Sequence, residues 1–145
     1  MEFYSHAKED EEKGRIGIKE LKSHLSHVYH IASGQLHHNL GFIYTNSNFS
    51  RILEDICIFH DLGKYTTFFQ DYLLDRKKVD RNLKKHSRIG AYCIANKYLN
   101  IDFTLALLSY YCIVNHHGNL INIKNTEFFY EAAKESYEKR FNLQK

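Results

Sequence analysis

Proline and tryptophan are absent from this 145-residue chain, methionine occurs once and cysteine three times. Without proline, no residue forces a break in a helix, so long uninterrupted helices are compatible with the sequence. Cys57, Cys93 and Cys112 are odd in number, lack CxxC spacing and sit in apolar helical patterns. They read as reduced core thiols rather than a disulfide framework, which makes an intracellular location the default. No apolar run approaches the roughly 20 residues needed to cross a bilayer. The start, Met1-Glu2-Phe3-Tyr4-Ser5-His6, lacks the charged and apolar regions of a signal peptide. The expectation is a cytoplasmic protein with no membrane partner.

What is present points to a folded domain. Hydrophobic residues make up 43% of the chain, charged residues 26% and aromatics 14%, with tyrosine and phenylalanine abundant. That composition is globular rather than disordered, and the length suits a single domain over residues 1–145. Lys and Arg outnumber Asp and Glu by 20 to 17, a net charge of +3. So small an excess favours an anionic partner only mildly, and local clustering must carry any such case.

The hydrophobic period is helical almost throughout. From Ile16, the residues Ile18, Leu21, Leu25, Val28 and Ile31 recur at helical spacing and place His24 close to a buried face. A second helix is expected over Phe49, Ile52, Leu53, Ile56, Cys57 and His60, stopping near Gly63 as a left-handed C-cap. Further helices are expected over Lys64–Leu74, Leu83–Leu99, Phe103–Val114 and Thr126–Phe141, with Met1–Gly14 as a solvated arm. The fold class expected is all-α, a helical bundle.

Histidines stand out in this frame. A lone histidine on an apolar helix face is usually a structural residue satisfied by one hydrogen bond. His6, His27 and His30 read so, His24 would too in isolation, and His37-His38 reads as the surface end of a helix. His60-Asp61 differs, because Asp61 follows the apolar run Ile56-Cys57-Ile58-Phe59 and faces the unfavourable end of a helix dipole. A carboxylate buried there needs a cation, either a metal ion or a salt bridge to Lys64 or a histidine. His116-His117 ends another apolar run and precedes Gly118.

Taken in order, Leu21-x-x-His24-Leu25-x-x-Val28, His60-Asp61-x-Gly63-Lys64, Phe69-Gln70-x-Tyr72-Leu73, His86-x-x-x-Gly90-Ala91 and Asn115-His116-His117-Gly118 resemble the HD superfamily of metal-dependent phosphohydrolases. More narrowly, they are similar to the HD nuclease domain of Cas3, the effector nuclease of type I CRISPR systems. The resemblance spans Tyr4–Gly118 and implies an HD-domain helical bundle. It also implies that Asp61 bridges two metals, with His24 and His60 on one ion and His86, His116 and His117 on the other. The family's first metal takes a further aspartate after the His-His-Gly motif. The acids after Gly118 here are Glu127, Glu131, Glu135 and Glu138, so truncation or loss of that ligand is expected.

Imidazole-rich ligation suits Mn, Fe, Co, Ni or Zn better than Mg, and one or two ions are expected. Two ions about 3.5–4 Å apart would polarise a phosphodiester and activate a water. Asp61 and Lys64 are the residues expected to act in the chemistry. Lys64 either brings positive charge against the phosphate or is an exposed cap lysine. Between Arg76 and Arg88 lie seven basic residues and a single acid, Asp80, around His86. Such a run can track a phosphate backbone, with Tyr65, Phe68, Phe69 and Tyr72 available for stacking, or be a solvated loop with core aromatics beside it.

The resemblance implies a nuclease acting on single-stranded DNA in CRISPR interference, partnered by a Cas3 helicase and a crRNA-guided surveillance complex. Two alternatives stand beside it: an HD phosphohydrolase of nucleotides or cyclic nucleotides, and a catalytically deficient scaffold domain.

Overall fold

The computed structural model describes residues 2–39 and 47–118. The helix expected over Thr126–Phe141, the late glutamates and the side chains of His37 and His38 lie outside the described residues. The chain opens with a hairpin, β1 (Tyr4–Asp10) and β2 (Gly14–Glu20), and continues into α1 (Leu21–Asn39) and α2 (Ser47–Phe59). A 3-10 turn (Leu62–Tyr65), α3 (Thr67–Leu73), α4 (Ser87–Leu99) and α5 (Phe103–Val114) follow. No helix among the described residues is long and apolar enough to cross a membrane.

The all-α expectation, and with it the helical bundle, is therefore corrected: the fold is mixed, with five α-helices and a two-stranded antiparallel sheet among the described residues. The segment expected to be a solvated arm is β1, and the first helix starts at Leu21, not at Ile16. Local chemistry explains the hairpin. Asp10 Oδ1 accepts hydrogen bonds from the amides of Glu12 (3.2 Å) and Lys13 (3.0 Å), folding the charged tip. Gly14 takes φ +72°, a conformation open to glycine at little cost, and pairs with Asp10. Ile16 and Ile18 are two residues apart, which is strand spacing, and Ile18 is 55% exposed.

The core lies where α4 and α5 pack on each other and on α2. Ala91, Ile94, Ala95 and Tyr98 of α4 meet Ala106, Tyr110 and Ile113 of α5, with Ile52, Ile56 and Phe59 of α2 against them. Asp102 caps α5 by accepting from the Leu105 amide at 3.0 Å, which is why that helix begins at Phe103. Thr66 caps α3 in the same way through the Phe69 amide at 3.2 Å. Cys57 is buried and its thiol is pushed up to about 11 by burial, whereas Cys93 is half-buried and Cys112 is exposed. The core-thiol reading thus fails for Cys112.

Two glycines allow elements to approach each other around residues 60–63. A Cβ on Gly90 would fall 1.7 Å from the Phe59 carbonyl oxygen, so glycine lets α4 lie against the end of α2. Gly63 is not a left-handed cap. Positive φ among the described residues is confined to Gly14 and Asp75, and Gly63 is needed because the His86 backbone lies against it.

Candidate metal centre

Each element delivers one or two side chains to a single point. His24 comes from the first turn of α1, His60 and Asp61 from just beyond α2, His86 from the residue preceding α4, and His116 and His117 from the turn after α5. His86 occupies the N-cap position of α4, but its side chain makes no cap hydrogen bond. Its ring instead packs edge-on against Phe69, centroids 4.9 Å apart, and faces Asp61. Asn115 Nδ2 donates to the Tyr111 carbonyl at 3.0 Å and holds the turn that presents His116.

Asp61 is the floor of the site, 2% exposed. Around its Oδ2 stand Lys64 Nζ at 2.8 Å, His24 Nε2 at 3.1 Å and His60 Nε2 at 3.3 Å. Around its Oδ1 stand His86 Nε2 at 3.1 Å and His116 Nε2 at 3.5 Å. His86 Nε2 is in turn 2.8 Å from His117 Nε2, and His117 is exposed at the mouth. Two sets of donor atoms each lie within 4.8 Å of one another: Asp61, His86, His116 and His117, and His24, His60 and Asp61. The structure therefore brings together every residue expected as a ligand, in groups that could hold a metal ion.

The hydrogen-bond pattern tests whether the residues fit a cation. His60 Nδ1 donates to the Cys57 carbonyl and His116 Nδ1 to the Ile113 carbonyl, both at 2.6 Å. In a neutral imidazole one nitrogen donates and the other accepts, so both rings turn an Nε2 lone pair toward the Asp61 carboxylate. Acceptors facing an acceptor need a positive charge between them. Asp61 Oδ1 and His116 Nε2 are buried and have no hydrogen-bond partner among the described residues, an arrangement that a bound cation would complete. The donor set fits a divalent transition metal.

Burial alone would raise the Asp61 carboxyl, but any N–H that His116, His60 or His86 directs at it, together with the Lys64 ammonium at 2.8 Å, outweighs burial and holds the carboxyl well below the usual carboxylate range. Burial lowers His86 and His24, and burial with repulsion from His116 and His86 pushes His117 down to about 4. The lowered direction favours the neutral ring, which is the form a metal would need of His86 and His117.

Lys64 is neither solvent-exposed nor free. It is buried, ion-paired to Asp61, and its Nζ also donates to the Ser5 carbonyl at 3.5 Å. The salt-bridge reading of Asp61 is thus realised through Lys64, beside the histidines.

Sequence reasoning missed three supports. Gln70 is buried and clamps the hairpin to the site: Nε2 donates to the carbonyls of Tyr4 and Lys64 at 2.8 Å each, and Oε1 accepts from the Tyr4 amide at 2.9 Å. Phe69, considered for base stacking, is buried against His86. His6, read as structural, stands edge-on to His24 with centroids 5.2 Å apart. Gln70 stood within the quoted Phe69-Gln70-x-Tyr72-Leu73 run, but nothing there pointed to its partners on Tyr4. Nothing in the sequence marked His6, because the strand that carries it was read as an arm.

No family model matches the chain, and no curated protein and no solved structure matches it either. What the fold and the site define is a small mixed domain with a histidine-aspartate cluster that could hold a metal ion.

Proposed function

We propose that this protein is a metal-dependent nuclease that hydrolyses phosphodiester bonds of single-stranded DNA. The observation that carries the reading is the convergence of imidazole lone pairs on a buried carboxylate whose Oδ1 lacks a hydrogen-bond partner. A divalent ion bound there supplies Lewis-acid polarisation of the phosphodiester and activation of water. Asp61, His86, His116 and His117 would hold it, with His24 and His60 facing the other carboxylate oxygen. Lys64 adds positive charge at the floor of the site, through Asp61.

A polymeric anionic substrate is supported by the surroundings. The rings of His24, His60, His86 and His116 are only 14–17% exposed, and His117, exposed beside them, marks the side from which solvent and substrate reach the cluster. The loop between α3 and α4 exposes Arg76, Lys77, Lys78, Arg81 and Lys85 and runs directly into His86. Tyr65 and Tyr72 are each 38% exposed, but Tyr65 stands edge-on to Phe3 and the Lys84 ammonium covers the Tyr72 ring, so each offers a strand only its remaining surface. The ordered motif set similar to the Cas3 nuclease domain supports a place in CRISPR interference, alongside a Cas3 helicase and a crRNA-guided surveillance complex.

The test is a nuclease assay on single-stranded oligonucleotides with Mn, Co, Ni or Mg. Asp61→Ala should abolish metal-dependent cleavage; undiminished cleavage by that variant would sink the mechanism. The cavity of about 300 Å³ between Lys22, Leu25, Glu54 and Tyr65 includes none of the expected ligands and carries an acid, so it does not favour the alternative reading of a nucleotide phosphohydrolase. Turnover of mononucleotides and oligonucleotides side by side separates the two.

A further inference from the structure

The ligands do not surround Asp61 evenly. On the Oδ2 side, the Lys64 ammonium stands at 2.8 Å and the His24 ring at 3.1 Å in a hydrogen bond. On the Oδ1 side no well-formed hydrogen bond is made among the described residues, although His86 and His116 come within 3.1 and 3.5 Å. One oxygen has its donors and the other lacks them.

The tautomers sharpen this difference. His24 Nδ1 is buried with no partner, so the single proton of the neutral ring is best placed on Nε2, where it meets Oδ2. Ligating a metal through Nε2 would move that proton to Nδ1 and leave a buried donor without an acceptor. His60 and His116 carry no such penalty, since backbone carbonyls already hold their Nδ1 protons. Among the rings whose tautomer the backbone or burial fixes, His60 and His116 present a lone pair and His24 presents a donor; His86 and His117 share one proton between their Nε2 atoms, which a metal would displace.

Lys64 is also fixed where a second cation would have to go. Its side chain is buried, its Nζ reaches Ser5 of β1 at 3.5 Å, and it lies 5.6 Å from the centre of the Phe69 ring. A second divalent ion at Oδ2 would sit against this ammonium, and repulsion at such range in a buried site is severe.

We propose that Lys64 stands in for a second metal: the centre holds one divalent ion on the Oδ1 side, bound by Asp61, His86, His116 and His117, while the Lys64 ammonium and the His24 N–H serve Oδ2. His60 lies between the two sides, its ring 5.2 Å from His116 and 5.6 Å from His24. His24 is then a positioning residue for the carboxylate. This deepens the metal-hydrolase reading and rests on it.

The experiment is a count of ions on metal-free protein titrated with Co(II), by calorimetry and elemental analysis, with visible Co(II) absorption as a signature of the ligand field. The wild type should take one ion per chain, and Lys64→Met, which keeps length and loses charge, should gain a second, weaker one. Lys64→Arg should stay at one. His24→Phe should leave Co(II) affinity within a few-fold, whereas His86→Ala should lower it roughly tenfold or more. Two ions on the wild type overturn the proposal and leave the hydrolase reading intact. A single ion on folded Lys64→Met also overturns it, as does a His24→Phe loss equal to that of His86→Ala, which decides the matter should Lys64→Met fail to fold. No ion on folded wild type removes the metal centre itself.

Discussion

Gly63 and His86 are in backbone contact: a Cβ built on Gly63 would fall 2.2 Å from the His86 carbonyl oxygen and 2.6 Å from its Cα. The glycine of the His60-Asp61-x-Gly63-Lys64 run is thus what lets a ligand from a distant part of the chain reach the carboxylate. Gly63→Ala should push His86 away, weakening Co(II) binding and costing roughly 1–3 kcal/mol of stability through overpacking. Gly118, whose added Cβ meets nothing within 4 Å, supplies the control. Calorimetric titration and urea unfolding measure both effects, and a Gly63→Ala protein that binds like Gly118→Ala would refute this role.

How much of this was legible in the chain depended on how local the signal was. The bounds of α5 match the expected Phe103–Val114, because Asp102 both breaks the preceding pattern and caps the helix. That His24, His60, Asp61, His86, His116 and His117 form groups that could hold a metal ion was legible from the ordered motifs, because few side chain types bind metal and these stand at the ends of apolar runs. The hairpin was not, because its tip is crowded with charge and Ile16 and Ile18 fit the start of a helical pattern as readily as a strand. The duties of Gly63 and Gln70 depend on distant partners, His86 and Tyr4, and no local pattern reports such long-range pairings.

Gln70 gives the next expectation. Its amide closes hydrogen bonds on both backbone groups of Tyr4 and on the Lys64 carbonyl. Gln70→Leu keeps the volume and leaves those groups unpaired in a buried place, at a cost of about 1–3 kcal/mol for each that stays dry. Urea unfolding should show the loss, and amide exchange should quicken first in β1. Unchanged stability would mean that the hairpin is held by other interactions.

The pH dependence of the metal-free protein follows from the histidines. His24 and His86 are lowered from the ordinary 6.5, and His117 is pushed down to about 4. Between about 6.5 and 4 the unfolded chain therefore binds more protons than the folded one, so stability rises with pH across that window. It is fully present above the unfolded value and is lost as pH falls. Below about 4, protonation of the unfolded Asp61 carboxyl removes more. The melting temperature of metal-free protein should thus be lower at pH 5 than at pH 7.5, and Co(II) should steepen the difference, since protons compete for the same nitrogens. A flat profile would contradict the lowered imidazoles.

The basic loop makes the last expectation. Lys77, Lys78 and Arg81 are exposed on the approach to His86, and Lys77 pairs with Asp71 at 3.6 Å rather than with the centre. Lys84 is different, since its ammonium lies over the Tyr72 ring at 4.3 Å. If the loop tracks a phosphate backbone, replacing Lys77, Lys78 and Arg81 together with glutamate should weaken binding of single-stranded DNA whatever its sequence. It should also flatten the salt dependence, by about 0.7 in log–log slope for each phosphate that is no longer neutralised. Hydrolysis of a small phosphodiester such as bis-p-nitrophenyl phosphate should be unchanged, because that substrate reaches the metal without the loop. Fluorescence anisotropy at several salt concentrations reads the first effect and a colorimetric assay the second. Equal losses on both substrates would show that the loop supports the site rather than the strand, and an unaltered salt slope would place the nucleic acid on another face.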